Sequence, residues 1–131
     1  AATLDPTQGT AIITEGLINY FPIEAVSGLW TRMAKVLSGF PNGLYLSDLH
    51  VGGENRSLAV QAFVRLLGVF VRGRVHLHFR SAIEASRQLR DCGFDAAALL
   101  SPADFADRYP ECRDPAAKLV RVIKAKTTGK H

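Results

Sequence analysis

The sequence has 131 residues and is sparing in sulfur: two cysteines, Cys92 and Cys112, and one methionine, Met33. The two cysteines match neither the number of a disulfide scaffold nor the spacing of a metal site, and a reduced, cytoplasmic setting is the simpler expectation. There is no apolar run long enough to cross a bilayer, because Val60 to Val71 is interrupted by Gln61 and Arg65. No signal peptide is visible, and no internal repeat or low-complexity segment is found. The first residue is Ala1 rather than Met, which suggests a processed or truncated product.

The apolar share is 47% and the charged share 21%, the balance of an ordinary globular domain long enough to bury a core. The formal net charge is +4, and basic residues gather late, at Arg113, Lys118, Arg121, Lys124, Lys126 and Lys130. No aromatic residues interleave with them and no nucleic-acid motif is present. They read as a solvated surface, with neither nucleic acid nor membrane as a partner.

Gly9 to Thr14 reads as a first strand, apolar and β-branched. Pro22 stands where a helix can begin. Ile23, Val26, Trp30, Met33 and Leu37 then recur at helical spacing and make one apolar face, ended at Gly39. Pro41-Asn42-Gly43 reads as a turn, and Leu44 to Leu46 as a second strand running into Ser47-Asp48-Leu49-His50. Val51 to Asn55 reads as a loop. Ser57 to Val71 reads as a helix apolar almost all round, and so deeply packed or at an interface, and Val75 to Phe79 as a short strand or connector. Ser81 with Glu84 makes a capping box, and the helix it opens carries Leu89 inward and ends at Gly93. Asp95 to Leu100 is a third strand, followed by the Ser-Pro-Ala-Asp cap pattern at Ser101 to Asp104. Leu119 to Lys126 is a last strand whose imperfect alternation predicts cover on both faces.

Strands alternating with helices imply a mainly parallel α/β sheet, and the short link before the last strand implies that this strand runs antiparallel. The first strand wants a neighbour on each side, and the chain supplies nothing before it. Glu15 and Asp48 each follow a strand, at the carboxyl edge where open α/β sheets bind ligands. A carboxylate there can accept hydrogen bonds from an amino or hydroxyl group, and Gly16 allows a ligand close to the backbone. The bland alternative is that Glu15 caps the following helix or is merely exposed. His76 and His78 form an H-x-H pair without a third ligand and read as a polar strand face. Trp30 and Met33 are core residues, and Cys92 packs as a small apolar one.

The stretches ITEGLINYF, LWTRMAKVL and FPNGLYLSDL, with FRSAIEASRQLRDCGFDAAALLSP and LVRVIKA, resemble the leucine carboxyl methyltransferase-like family, which includes polyketide O-methyltransferases of secondary metabolism. The resemblance is most specific at Glu15-Gly16-Leu17 and Tyr20. It implies the carboxy-terminal half of a Rossmann-like class I methyltransferase sheet, mostly parallel with an antiparallel last strand, in an enzyme that uses S-adenosylmethionine to methylate a carboxylate or hydroxyl of a small metabolite. It further implies that Thr14, Glu15 and Gly16 line the cofactor, and that Asn19, Tyr20 and Asp48 stand on the acceptor side. A carboxylate acceptor needs no base, whereas for a hydroxyl acceptor His50 is the natural catalytic base. The alternative for His50 is a plain loop histidine.

The family's glycine-rich cofactor loop has no counterpart here, since Gly52-Gly53 and Gly129-Lys130 lack a strand-to-helix setting. The chain by itself is therefore expected to be inactive. It is expected to associate through the Gly9 to Thr14 edge, with a missing amino-terminal half or with a second copy. A non-catalytic half-domain serving as an interaction module is the alternative function.

Overall fold

The computed structural model describes residues 4–50, 79, 81–113 and 120–129. Within them the regular elements are β1 (Thr10–Thr14), α1 (Ile23–Leu37), β2 (Asn42–His50), α2 (Ala82–Asp91), β3 (Ala96–Leu100) and β4 (Val120–Thr128). Short 3-10 turns follow β1 at Ile18–Tyr20 and separate β3 from β4 at Pro102–Phe105 and Pro110–Arg113. The four strands make one sheet in the order β1-β2-β4-β3. β1 and β2 are parallel, whereas β4 is antiparallel to both of its neighbours. Three strands thus share one direction and the last opposes them, as the short link before it predicts.

α1 forms where the apolar period is helical. Val26, Trp30, Ala34 and Leu37 are its buried stripe, and Ile23 and Met33 pack partly against the same core. Its first turn carries Glu24 and its last Lys35, the signs that a helix dipole favours. α2 opens as the capping box predicts, with Ser81 Oγ accepting from the Glu84 amide at 3.2 Å. Its buried residues are Ala85 and Leu89. Both helices lie on one face of the sheet, over Tyr45, Leu49, Ile123 and Ala125. Aromatic pairs stitch the layers: Trp30 stacks on Phe79 with centroids 5.7 Å apart, and Tyr45 on Phe94 at 5.9 Å. Cys92 is buried, with its Sγ 3.6 Å from the Ser27 carbonyl oxygen.

Two readings need correction. The second strand is not Leu44 to Leu46 but nine residues long, and Asn42 and Gly43 belong to it. Pairing with β4 from Asn42↔Thr128 to His50↔Val120 overrides the local turn signal of Pro41-Asn42-Gly43. β4 is not covered on both faces. Ile123, Ala125 and Thr127 are buried, while Lys124, Lys126 and Thr128 are exposed, so its alternation is regular where it matters. The expected helix over Ser57 to Val71, the loop before it and His76 and His78 lie outside the described residues.

Gly43 is a packing requirement rather than a turn residue. A Cβ there would strike Thr127 Oγ1 and stand 2.7 Å from Leu37 Cβ. Gly43→Ala is therefore predicted to cost about 1–3 kcal/mol, the usual penalty for overpacking a closed core. The chain entropy that alanine saves, at most about 1 kcal/mol, does not offset it. Urea unfolding checks this: the midpoint should fall, and an unchanged midpoint would show that the sheet and α1 are farther apart at this point than described here.

Candidate functional site

β1 and β2 run side by side to the same end, with Thr14 opposite Ser47. Glu15 is the first residue beyond β1 and is exposed. It does not cap α1, which begins eight residues on, at Ile23 after Pro22. Gly16 has φ +62°, the left-handed region that favours glycine, and nothing stands within 4 Å of where its Cβ would be. The chain therefore turns sharply at Gly16 and leaves its backbone open to approach.

The turn is fastened to β2. The Gly16 amide donates to Asp48 Oδ1 at 2.8 Å. Asn19 clips the next turn down: its Nδ2 donates to the His50 carbonyl at 3.1 Å, and its Oδ1 accepts from the His50 amide at 3.0 Å. Asp48 and His50 do not follow the strand, as the sequence reading has it. They are its third-last and last residues, because β2 extends to His50. Asp48 thus spends one oxygen on the loop, and the buried Asn19 spends its amide on a backbone. Tyr20 lies one residue on and is exposed, as are Leu17 and Phe21. Phe105 and Tyr109, also exposed, follow β3 at the same end of the sheet.

Beneath the rim lies a polar cluster that the sequence reading misses. Tyr45 is fully buried, and its hydroxyl lies 2.8 Å from Thr14 Oγ1 and accepts from Trp30 Nε1 at 3.3 Å. Thr14 Oγ1 donates in turn to Ser47 Oγ at 2.7 Å. The signal is present in the sequence: a tyrosine in a strand that must be buried needs a partner for its hydroxyl. Among the described residues no group of three His, Cys, Asp or Glu side chains is placed to hold a metal ion.

No protein-family profile matches the sequence, and no curated protein matches it. Solved structures do. A proposed O-methyltransferase from Nostoc punctiforme is similar with TM-score 0.59 and 13% identity, over 89% of this chain and 31% of that one. An O-methyltransferase family protein from Burkholderia thailandensis is similar with TM-score 0.58 and 14% identity, over 92% of this chain and 31% of that one. Human N-acetylserotonin methyltransferase in complex with S-adenosylmethionine is similar with TM-score 0.57 and 16% identity, over 97% of this chain and 32% of that one. The chain has the mixed α/β fold of these O-methyltransferases, and it spans about a third of their length.

The Asn19 clip predicts its own test. Asn19→Ala leaves the part-buried backbone of His50 without this side-chain partner, which costs about 1 kcal/mol. Amide exchange at His50 and Gly16 should accelerate well beyond that at Ile123 in the core. Unchanged exchange at His50 would mean that the turn after β1 is held by something other than Asn19.

Proposed function

We propose that this chain is the carboxy-terminal part of an S-adenosylmethionine-dependent O-methyltransferase domain of the leucine carboxyl methyltransferase-like kind, acting on a carboxylate or hydroxyl of a small metabolite in the cytoplasm. One observation carries the reading: an exposed carboxylate and an open glycine, Glu15 and Gly16, at the carboxyl end of an edge strand in a sheet of order β1-β2-β4-β3. α1 and α2 both cover one face. Crossovers between parallel strands are right-handed, so strands added outward from β1 would carry their helices on the opposite face. The outer edge of β1 is then a switch point, and α/β sheets bind ligands beyond the strand ends at such a point.

The residues present fit one wall of a cofactor site. The exposed Glu15 can accept from hydroxyl or amino groups, and Gly16 lets a ligand come close to the main chain. Thr14 holds the strand end in place through Tyr45 and Ser47. The second wall would come from a glycine-rich half outside this sequence. S-adenosylmethionine, when bound, supplies an electrophilic methyl group. Tyr20 offers an exposed aromatic face on the acceptor side. Asn19 and Asp48 serve that side by fixing the turn on which Tyr20 and Glu15 stand. A carboxylate acceptor is already a nucleophile, so positioning can supply much of the rate. For a hydroxyl acceptor His50 would take the proton, from the end of β2.

A second reading, a non-catalytic half-domain that binds another chain, is favoured by the lack of any G-x-G-x-G stretch in the sequence. It predicts the same behaviour of the isolated chain: no S-adenosylmethionine binding at micromolar concentration by calorimetric titration. Micromolar binding would overturn the assignment of the second wall to another half. The two readings part in a protein that joins this chain to a glycine-rich half. There Glu15→Ala should lower methyl transfer by about a hundredfold, the scale of misplacing reacting groups by about an ångström. Activity near that of the unaltered protein, with circular dichroism unchanged, would remove Glu15 from the site.

A further inference from the structure

We propose that Trp30, Tyr45 and Ser47 are positioning residues for the turn at Glu15 and Gly16, acting through a hydrogen-bonded chain of fixed direction that runs from α1 to both sides of that turn. The role rests on the methyltransferase reading only for the identity of what the turn holds. The two ends of the chain set its direction. An indole N–H can only donate, so Trp30 Nε1 donates to the Tyr45 hydroxyl at 3.3 Å. A carbonyl can only accept, so Ser47 Oγ spends its proton on the Asp48 carbonyl at 3.1 Å. Thr14 Oγ1 gives its one proton to Ser47 Oγ at 2.7 Å, which leaves the Tyr45 hydroxyl to donate to Thr14 Oγ1 across 2.8 Å. Each of the three hydroxyls thus accepts one bond and donates one.

The far end of the chain reaches the site at two points. Thr14 is the last residue of β1, next to Glu15. Asp48 takes the final bond on its carbonyl and holds the Gly16 amide with Oδ1 at 2.8 Å. The near end is set in the core. Trp30 and Tyr45 are fully buried, and each stacks on a phenylalanine, Phe79 and Phe94 respectively. A hydroxyl that donates is a better acceptor, so the bonds strengthen one another and act as a unit. The rigidity of the core is carried in this way to an exposed turn. Bulk alone does not call for hydroxyls here, because replacing both partners of a buried hydrogen bond by apolar groups of the same shape costs little. The Thr14 hydroxyl is committed inward, so Thr14 serves the site by placing Glu15.

Trp30 is the sole tryptophan, so its indole N–H gives one NMR signal in the isolated chain. Ser47→Ala should move that signal upfield, although Ser47 and Trp30 share no hydrogen bond, because loss of the last link weakens each bond before it. In a Tyr45→Phe background the same Ser47→Ala change should leave the signal in place. Thr14→Val, of nearly unchanged shape, breaks the chain equally well where Tyr45→Phe lowers the yield of folded protein. Amide exchange at Glu15 and Gly16, relative to Ile123, should accelerate about fivefold in either single variant, the worth of one hydrogen bond, and no further in the double. An indole signal that ignores Ser47→Ala, an equal shift in the broken-chain background, or additive effects on exchange would overturn the proposal.

In a protein that joins this chain to a glycine-rich half, Tyr45→Phe should raise the KM for S-adenosylmethionine about fivefold with kcat nearly unchanged. A smaller folded fraction would instead lower kcat at constant KM, and that result would make Tyr45 structural only. Absence of methyl transfer by the unaltered joined protein would overturn the methyltransferase reading, while the indole signal still decides whether the chain braces the turn.

Discussion

The attachment of β1 to β2 governs everything at the candidate site. β1 has five residues, lies at an edge and has one strand neighbour among the described residues. Five residues of parallel pairing are a modest anchor, and the strand end is where Glu15 and Gly16 must be fixed. The fold answers with side chains. Thr14 is bound to Tyr45 and Ser47 below the rim, Gly16 to Asp48 at it, and Asn19 to both backbone groups of His50 above it. Each partner of these bonds lies on β2, at the end of β1 or on the chain just after it. The loop is thus placed by the strand that is itself held at the sheet's centre by nine paired residues of β4.

The same arrangement explains the sheet's two unlike faces. Large residues at alternate positions of β2 and β4, with Trp30, Leu37 and Leu89 from the helices, make a closed core on one side. On the other side Ile13, Leu44 and Leu46 stand beside lysines and alanines, with no described helix over them. An edge strand without lysine or proline, such as Thr10–Thr14, is also unprotected against pairing. Both features agree with a chain that spans about a third of the O-methyltransferases whose fold it has. No described helix is long and apolar enough to cross a membrane.

Much of this was legible in the residues. The helical period from Ile23 to Leu37 placed α1, whose end falls two residues before the Gly39 stop signal, and Ser81 with Glu84 placed the start of α2. The short link before β4 implied its reversed direction. What local pattern could not give was the length of β2, because Pro41-Asn42-Gly43 and Ser47-Asp48 look like turn sequences until nine cross-strand partners hold them extended. The role of Asn19 was hidden for the same reason. An amide facing solvent in sequence terms becomes a backbone clip only when β2 reaches His50. Tyr45 was readable as buried, yet its hydroxyl partners lie on two other elements, β1 and α1, which no spacing rule brings together.

The central claim is that the ligand site lies at the ends of β1 and β2, on the turn held by Asp48 and Asn19. Amide chemical-shift mapping of the isolated chain with millimolar S-adenosylmethionine tests it most directly, because weak binding still marks its location. The account predicts shifts concentrated at Thr14, Glu15 and Gly16, with smaller ones at Asp48 and His50. Shifts confined to α2, β3 or the turns after β3, or none at any concentration up to solubility, would contradict it.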